Sequence, residues 1–246
     1  MRRGLAVLVC CTISAPAFAV TGQAPPAQGT VAQAIVMVVD PRGDLCTGTA
    51  LARDLVLTAG HCVALPRAYQ VKVFQTGQTI AVRGIALHPR FDRAAYAASR
   101  ATADIALIKL AAPLGELVQP ARLAPARRVS VGEMLTIAGF GVTIAGTDYG
   151  LGVPRMATLA VTGRPGSLQI RLFDQVTRDV RAGLGACVGD SGGPAFGPAG
   201  EGVVGVVSWT TAPRDQEGCG GLTGVTPLLL YRDWIVDTAR KFNSPL

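Results

Sequence analysis

The chain has 246 residues, 49% of them hydrophobic, and a mean hydropathy of +0.37; this is enough apolar material for one large domain or two small ones and excludes a disordered chain. The formal charge is +7, but no basic run is interleaved with aromatic residues, so a nucleic-acid partner is not expected. All but three of the 23 basic residues are arginine, a usage that, with the abundant alanine and glycine, suggests a GC-rich bacterial source.

At the N-terminus, Arg2 and Arg3 precede an apolar run from Leu5 to Ile13 and then Ala17-Phe18-Ala19, the pattern of a secretory signal peptide over residues 1–19. Cleavage after Ala19 frees Val20 and leaves a charge of +5, from 21 basic minus 16 acidic residues. Val9 before Cys10 is not the small residue a lipoprotein signal needs. No later stretch reaches about 18 uninterrupted apolar residues, so the mature chain is expected to be secreted or periplasmic without stable membrane insertion. Four cysteines remain, Cys46, Cys62, Cys187 and Cys219, and spacing alone leaves all three connectivities open.

Strand-like runs follow at 34–39, 55–58, 69–74, 79–87 and 105–110, then at 134–138, 156–161, 169–173, 202–209 and 224–229, with turn residues between them. Two all-β units are expected, 20–127 and 128–246, joined by an extended connector that contains Pro120 and Pro125. From Tyr231 to Phe242 the period turns helical, with Tyr231, Trp234, Ile235 and Thr238 on one face. The Gly-rich stretch 143–152 reads as a solvated connector or a loop beside a cleft.

The chemistry concentrates in Gly189-Asp190-Ser191-Gly192-Gly193-Pro194, one small nucleophile among glycines that let a substrate backbone approach. The run also fits G-x-S-x-G, but an α/β-hydrolase needs a histidine after the serine, and both histidines, His61 and His88, precede it. A Ser-Lys hydrolase is excluded because no S-x-x-K occurs. His61 stands in Thr58-Ala59-Gly60-His61-Cys62, and Asp104 opens the run Ile105 to Leu110, which gives the order histidine, aspartate, serine. His88, followed by Pro89, reads as structural.

These three segments resemble the signature blocks of the chymotrypsin-like, trypsin-family serine proteases, and the resemblance extends from about Val20 to the C-terminus. It implies an all-β fold of two six-stranded antiparallel barrels with a C-terminal helix and the site between them. The disulfides it implies are Cys46–Cys62 and Cys187–Cys219. The roles it implies are Ser191 as nucleophile, His61 as general base, Asp104 as the carboxylate that orients it, and the N–H groups of Gly189 and Ser191 as the oxyanion hole. Asp190 is implied to pair with the freed amino group of Val20. The pocket maps to Gly185 at its base and to Ser208, Trp209, Thr210 and Gly224 on its walls. With no carboxylate at that base, cleavage after arginine or lysine is not expected, and Thr210 is expected to narrow the pocket. Asp215 and Glu217 are the nearby acids that could reach the cleft.

No cofactor is expected and no metal: the loop 69–80 carries no acid for calcium, and no zinc spacing occurs. The expected partner is a protein or peptide substrate, and the expected state is a monomer. With all three reactive residues and the oxyanion glycine present, a catalyst is favoured over an inactive binding protein.

Overall fold

The structure is a computed structural model that describes residues 20–163 and 168–246. The expected signal peptide, residues 1–19, lies outside the described residues. Among the described residues, twelve strands form two closed antiparallel barrels of six. The first contains β1 (Ile35–Val39), β2 (Leu45–Ala52), β3 (Leu55–Thr58), β4 (Gln70–Lys72), β5 (Thr79–Leu87) and β6 (Ala106–Leu110), in the order β1-β2-β3-β6-β5-β4. The second contains β7 (Met134–Gly139), β8 (Arg155–Gly163), β9 (Ile170–Phe173), β10 (Pro194–Phe196), β11 (Val203–Thr210) and β12 (Thr223–Pro227), in the order β10-β11-β12-β9-β8-β7. Closure leaves no free sheet edge around either barrel.

Each barrel has its own core. Val36, Val38, Val56, Val71, Ile80, Ile108 and Leu110 fill the first. Leu135, Ile137, Leu159, Ile170, Leu172 and Val225 fill the second. The first and last described segments exchange barrels. Val20 and Ala24 are buried in the second core, with Thr21 bridged to Gly185 and Pro26 to Arg155. The C-terminal helix α3 (Arg232–Lys241) instead places Ile235 and Ala239 against Leu51, Leu55, Leu57 and Leu107 of the first barrel. Two short helices, α1 (Gly29–Ala34) and α2 (Arg93–Ala97), occur in connections where strand or loop was expected.

Both disulfides form, Cys46–Cys62 with Cα atoms 6.1 Å apart and Cys187–Cys219 with Cα atoms 5.0 Å apart. Among the described residues, no helix is long and apolar enough to cross a membrane.

Candidate active site

His61 sits in the 3-10 turn Gly60–Val63, directly after β3. A side chain at position 60 would lie 3.0 Å from the Phe91 ring and 3.2 Å from the Ile105 nitrogen, so glycine lets this turn pack tightly against the entry to β6 without displacing either. Asp104 precedes β6 and is fully buried. Its Oδ1 accepts the His61 backbone N–H at 2.8 Å, and its Oδ2 lies 2.8 Å from His61 Nδ1. The Ser208 hydroxyl donates to the same Oδ2 at 2.6 Å. Ser208 stands where the pairing of β11 with β12 slips between Val207 and Trp209, and such an irregularity re-aims a side chain. The carboxylate is therefore satisfied on both oxygens, and the imidazole is left with Nε2 as its free nitrogen.

On its other side the imidazole stacks on Tyr96 of α2, with ring centroids 4.3 Å apart and planes inclined by 10°. Asp92 caps α2 through the N–H groups of Ala94 and Ala95, and the Tyr96 hydroxyl donates to the Ser208 carbonyl at 3.2 Å. His88 stays apart from this group. It is buried edge-on between Tyr231 and Trp234, and burial, helped by Arg90, pushes its pKa below the ordinary 6.5.

Ser191 lies on the loop from Cys187 to Gly193. Its carbonyl accepts from Thr47 N at 2.8 Å and contacts Cys62 Sγ at 3.6 Å, which in turn lies 3.7 Å from His61 Nε2. The loop thus meets the histidine turn across the gap between the barrels. Ser191 Oγ makes no hydrogen bond among the described residues. Contacts of this kind commonly tighten only when substrate binds.

Within the loop, Asp190 N donates to the Cys187 carbonyl, Gly192 N to Val207 and Gly193 N to Asp190, whereas the N–H groups of Gly189 and Ser191 have no acceptor among the described residues. Gly189 has φ +96°, a backbone state that side chains disfavour.

The Asp190 side chain turns away from Ser191 into the second barrel. It is fully buried and accepts from Gly141 N and Cys187 N, each at 2.8 Å. Burial nonetheless pushes its pKa from 3.8 up to about 7. A side chain at Gly139 or Gly141 would run into this carboxylate, so the Gly-x-Gly that ends β7 exists to make room for it.

Of the pocket residues, Gly185 pairs with Thr21, and a side chain there would meet Gly220 Cα at 3.3 Å and Thr223 Oγ1 at 3.5 Å. The Thr210 hydroxyl donates to the Ala186 carbonyl at 2.7 Å, and Ala186 N donates to Thr223 Oγ1 at 2.9 Å. Two threonines therefore tie the Gly185 segment to the wall facing it. Gly224 lies directly beneath the Trp209 indole, where any side chain would overlap the ring. Trp209 Nε1 donates to Gln169 at 2.9 Å, and Arg171 lies over the indole face. A cavity of about 640 Å³ runs beside Asp104, lined by Tyr96, Arg100, Trp209, Thr210 and Asp215, though not by Glu217. A second cavity, of about 350 Å³, lies between Leu45 and Val188 and includes Thr147, Asp148 and Leu151 from the 143–152 segment.

Among the described residues, the only metal-like grouping is Cys46, His61 and Cys62, and its two sulfurs are joined in a disulfide and cannot act as thiolate ligands.

A buried carboxylate bonded to an imidazole, beside a serine on a loop whose Gly189 and Ser191 N–H groups have no acceptor among the described residues, is an arrangement for nucleophilic acyl transfer. Comparison with known proteins agrees. A family model described as Trypsin matches residues 20–235. Bovine Proproteinase E is 31% identical over 220 residues, which cover 78% of this chain and 83% of that one. Phenoloxidase-activating factor 3 of Holotrichia diomphalia is 30% identical over 202 residues, 67% of this chain, and the match spans little more than half, 56%, of that longer protein. Neuropsin, a serine protease expressed in the limbic system of mouse brain, superposes with a TM-score of 0.71 at 22% identity, covering 88% of this chain and 98% of its own. The chain belongs to the trypsin family and is a serine endopeptidase of the chymotrypsin-like fold.

Proposed function

We propose that the chain is a secreted endopeptidase that cleaves peptide bonds through Ser191, His61 and Asp104 and prefers a small apolar side chain before the scissile bond. The observation that carries the catalytic reading is Asp104 Oδ2, which lies 2.8 Å from His61 Nδ1 while also accepting from Ser208. Held in this way, the imidazole carries its proton on Nδ1 and presents the basic Nε2 to the cleft. Ser191 Oγ attacks the carbonyl carbon as Nε2 takes its proton, the N–H groups of Gly189 and Ser191 receive the oxyanion, and the imidazolium returns the proton to the leaving amine. Water then repeats the sequence on the acyl-enzyme. One chain supplies both barrels of this site, which supports a monomer.

Thr210 supports the small-residue preference, because its hydroxyl is committed across the pocket to Ala186 and fills space that a long side chain needs. No carboxylate stands at Gly185, so a buried guanidinium from the substrate would lack a partner.

Activation follows from the N-terminus. Val20 is fully buried in the second barrel at φ +47°, a state that a β-branched residue disfavours and that ceases to be defined once the preceding peptide bond is cut. Signal-peptide cleavage after Ala19 would relieve this strain and place an ammonium in the barrel that holds the buried Asp190 carboxylate. The same leader supports export, and the arginine-dominated composition supports a bacterial source.

The test is to react the exported, processed protein with a fluorophosphonate probe and map the label by mass spectrometry. Labelling of Ser191 that is lost in Ser191→Ala is expected; an unlabelled protein with Val20 as its N-terminus and both disulfides formed would refute the catalytic reading.

A further inference from the structure

Thr47 is an interior residue of β2, in the first barrel; its carbonyl accepts from Thr58 within that barrel, yet its backbone N–H and its hydroxyl both reach the nucleophile loop of the second. Its backbone N–H donates to the Ser191 carbonyl at 2.8 Å. Its hydroxyl donates to the Gly189 carbonyl at 2.8 Å and accepts the Phe140 N–H at 3.0 Å. The residue is fully buried, so water does not compete for these bonds. One side chain and its own backbone thereby grip the two residues that flank Asp190, and the N–H groups of both have no acceptor among the described residues.

We propose that the Thr47 hydroxyl is a positioning group for the oxyanion hole, an inference that rests on the catalytic reading above. The Gly189 carbonyl and N–H are separated only by that residue's φ and ψ, and a glycine at φ +96° has no side chain to restrict them. The Gly189 N–H shares its peptide plane with the Val188 carbonyl, and the Ser191 N–H shares its plane with the Asp190 carbonyl. The Gly189 carbonyl belongs to the peptide that joins those two planes, so holding it limits how the two donors turn relative to each other. The other anchors of these planes, Val142 N on the Val188 carbonyl, Gly193 N on the Asp190 carbonyl and Asp190 N on the Cys187 carbonyl, all come from the second barrel, whereas the Gly189 carbonyl itself is held, among the described residues, by Thr47 alone and from the first barrel. The hydroxyl also relays to Phe140, between the two glycines that make room for Asp190. Loop and carboxylate are thus braced at one point from the opposite barrel. A misaligned donor weakens binding of the oxyanion more than binding of the neutral carbonyl, so the loss falls on turnover rather than on substrate affinity.

The experiment measures kcat and KM on a peptide ester for exported wild type, Thr47→Val, Thr47→Ala and Thr47→Ser, each checked for folding by near-UV circular dichroism and thermal melting. Thr47→Val keeps the volume and removes the hydroxyl, and its kcat is expected to fall at least about tenfold while KM stays within about twofold, since losing an oxyanion donor outright costs roughly 100- to 1000-fold. Thr47→Ser, which keeps the hydroxyl, is expected to recover kcat to within about threefold of wild type. A folded Thr47→Val or Thr47→Ala with wild-type kcat overturns the proposal, as does a failure of both to fold, which would make the contact structural. An unlabelled, inactive wild type would instead remove the catalytic reading, and this inference with it.

Discussion

Thr210 tests how far one side chain sets substrate choice. Its hydroxyl has two carbonyl acceptors, Ala186 at 2.7 Å and Leu222 at 3.2 Å, so it is tied to the Gly185 segment, and on the proposed specificity the side chain narrows the space before the scissile bond. Thr210→Gly removes this bridge and opens the space above Gly185. The variant is expected to raise kcat/KM for substrates with a large apolar residue before the scissile bond, such as phenylalanine or leucine, by about ten- to 100-fold relative to alanine, the range that one or two methylenes of pocket space command. A specificity profile unchanged across a peptide library would show that Thr210 is not the limiting wall. The residues with the strongest local signatures were legible without coordinates: His61, Asp104 and Ser191 each sit in a distinctive segment. Thr47 was not, because its contact with Gly189 spans 142 positions and exists only after both barrels close. Ser208 was read as a pocket wall, and its bond to Asp104 depends on a local slip in strand pairing that alternation cannot reveal. Tyr96 was missed because nothing near it marks a ring that will lie on His61.

At the level of elements, the strands that periodicity finds are those with bulky β-branched residues. β2 and β10 escaped it for physical reasons. Leu45–Ala52 is built of small residues, including a Gly48 whose side chain would press on Val38 and Val56, so a crowded barrel interior replaces apolar alternation as the signal. β10 is three residues long and begins with Pro194. The helix α3 was legible from its spacing, and the structure adds what it covers. Ile235 is fully buried against the first barrel, although the helix follows the second in the chain. It therefore ties the barrels whose facing surfaces form the site. Ile235→Ala is expected to cost about 2–5 kcal/mol of unfolding free energy, the usual penalty for such a cavity, while Ser191 labelling at a temperature well below the melt stays intact. Denaturant titration checks the first part. A cost under about 1 kcal/mol would mean that α3 contributes little to holding the barrels together.

Over the whole molecule, the first and last described segments pack into opposite barrels, and on the proposed cleavage before Val20 the state of the N-terminus is expected to affect stability. While Val20 remains in peptide linkage, Asp190 is a buried carboxyl held by two N–H groups and raised by burial from 3.8 to about 7. A carboxyl with a raised folded-state pKa binds its proton more tightly folded than unfolded. Its contribution is therefore complete below about pH 4 and is lost as the pH rises through 7, by up to about 4 kcal/mol for a shift of this size. An ammonium at Val20 reverses the sign, because an opposite charge beside the carboxylate favours ionisation and draws the folded-state pKa back down. The processed protein should thus keep, between pH 4 and 7, the stability that a form carrying two extra residues before Val20 loses. Urea unfolding of both forms at several pH values measures this directly. Carboxyls outside this pocket, such as Glu133 and Glu201 held by Arg127, are shared by the two forms and cancel in the difference. Asp190→Asn in the extended form should flatten its profile across the same window. Superimposable pH profiles for processed and extended forms would separate Val20 from Asp190 and leave the oxyanion loop to be ordered from Thr47 and the barrel interface alone.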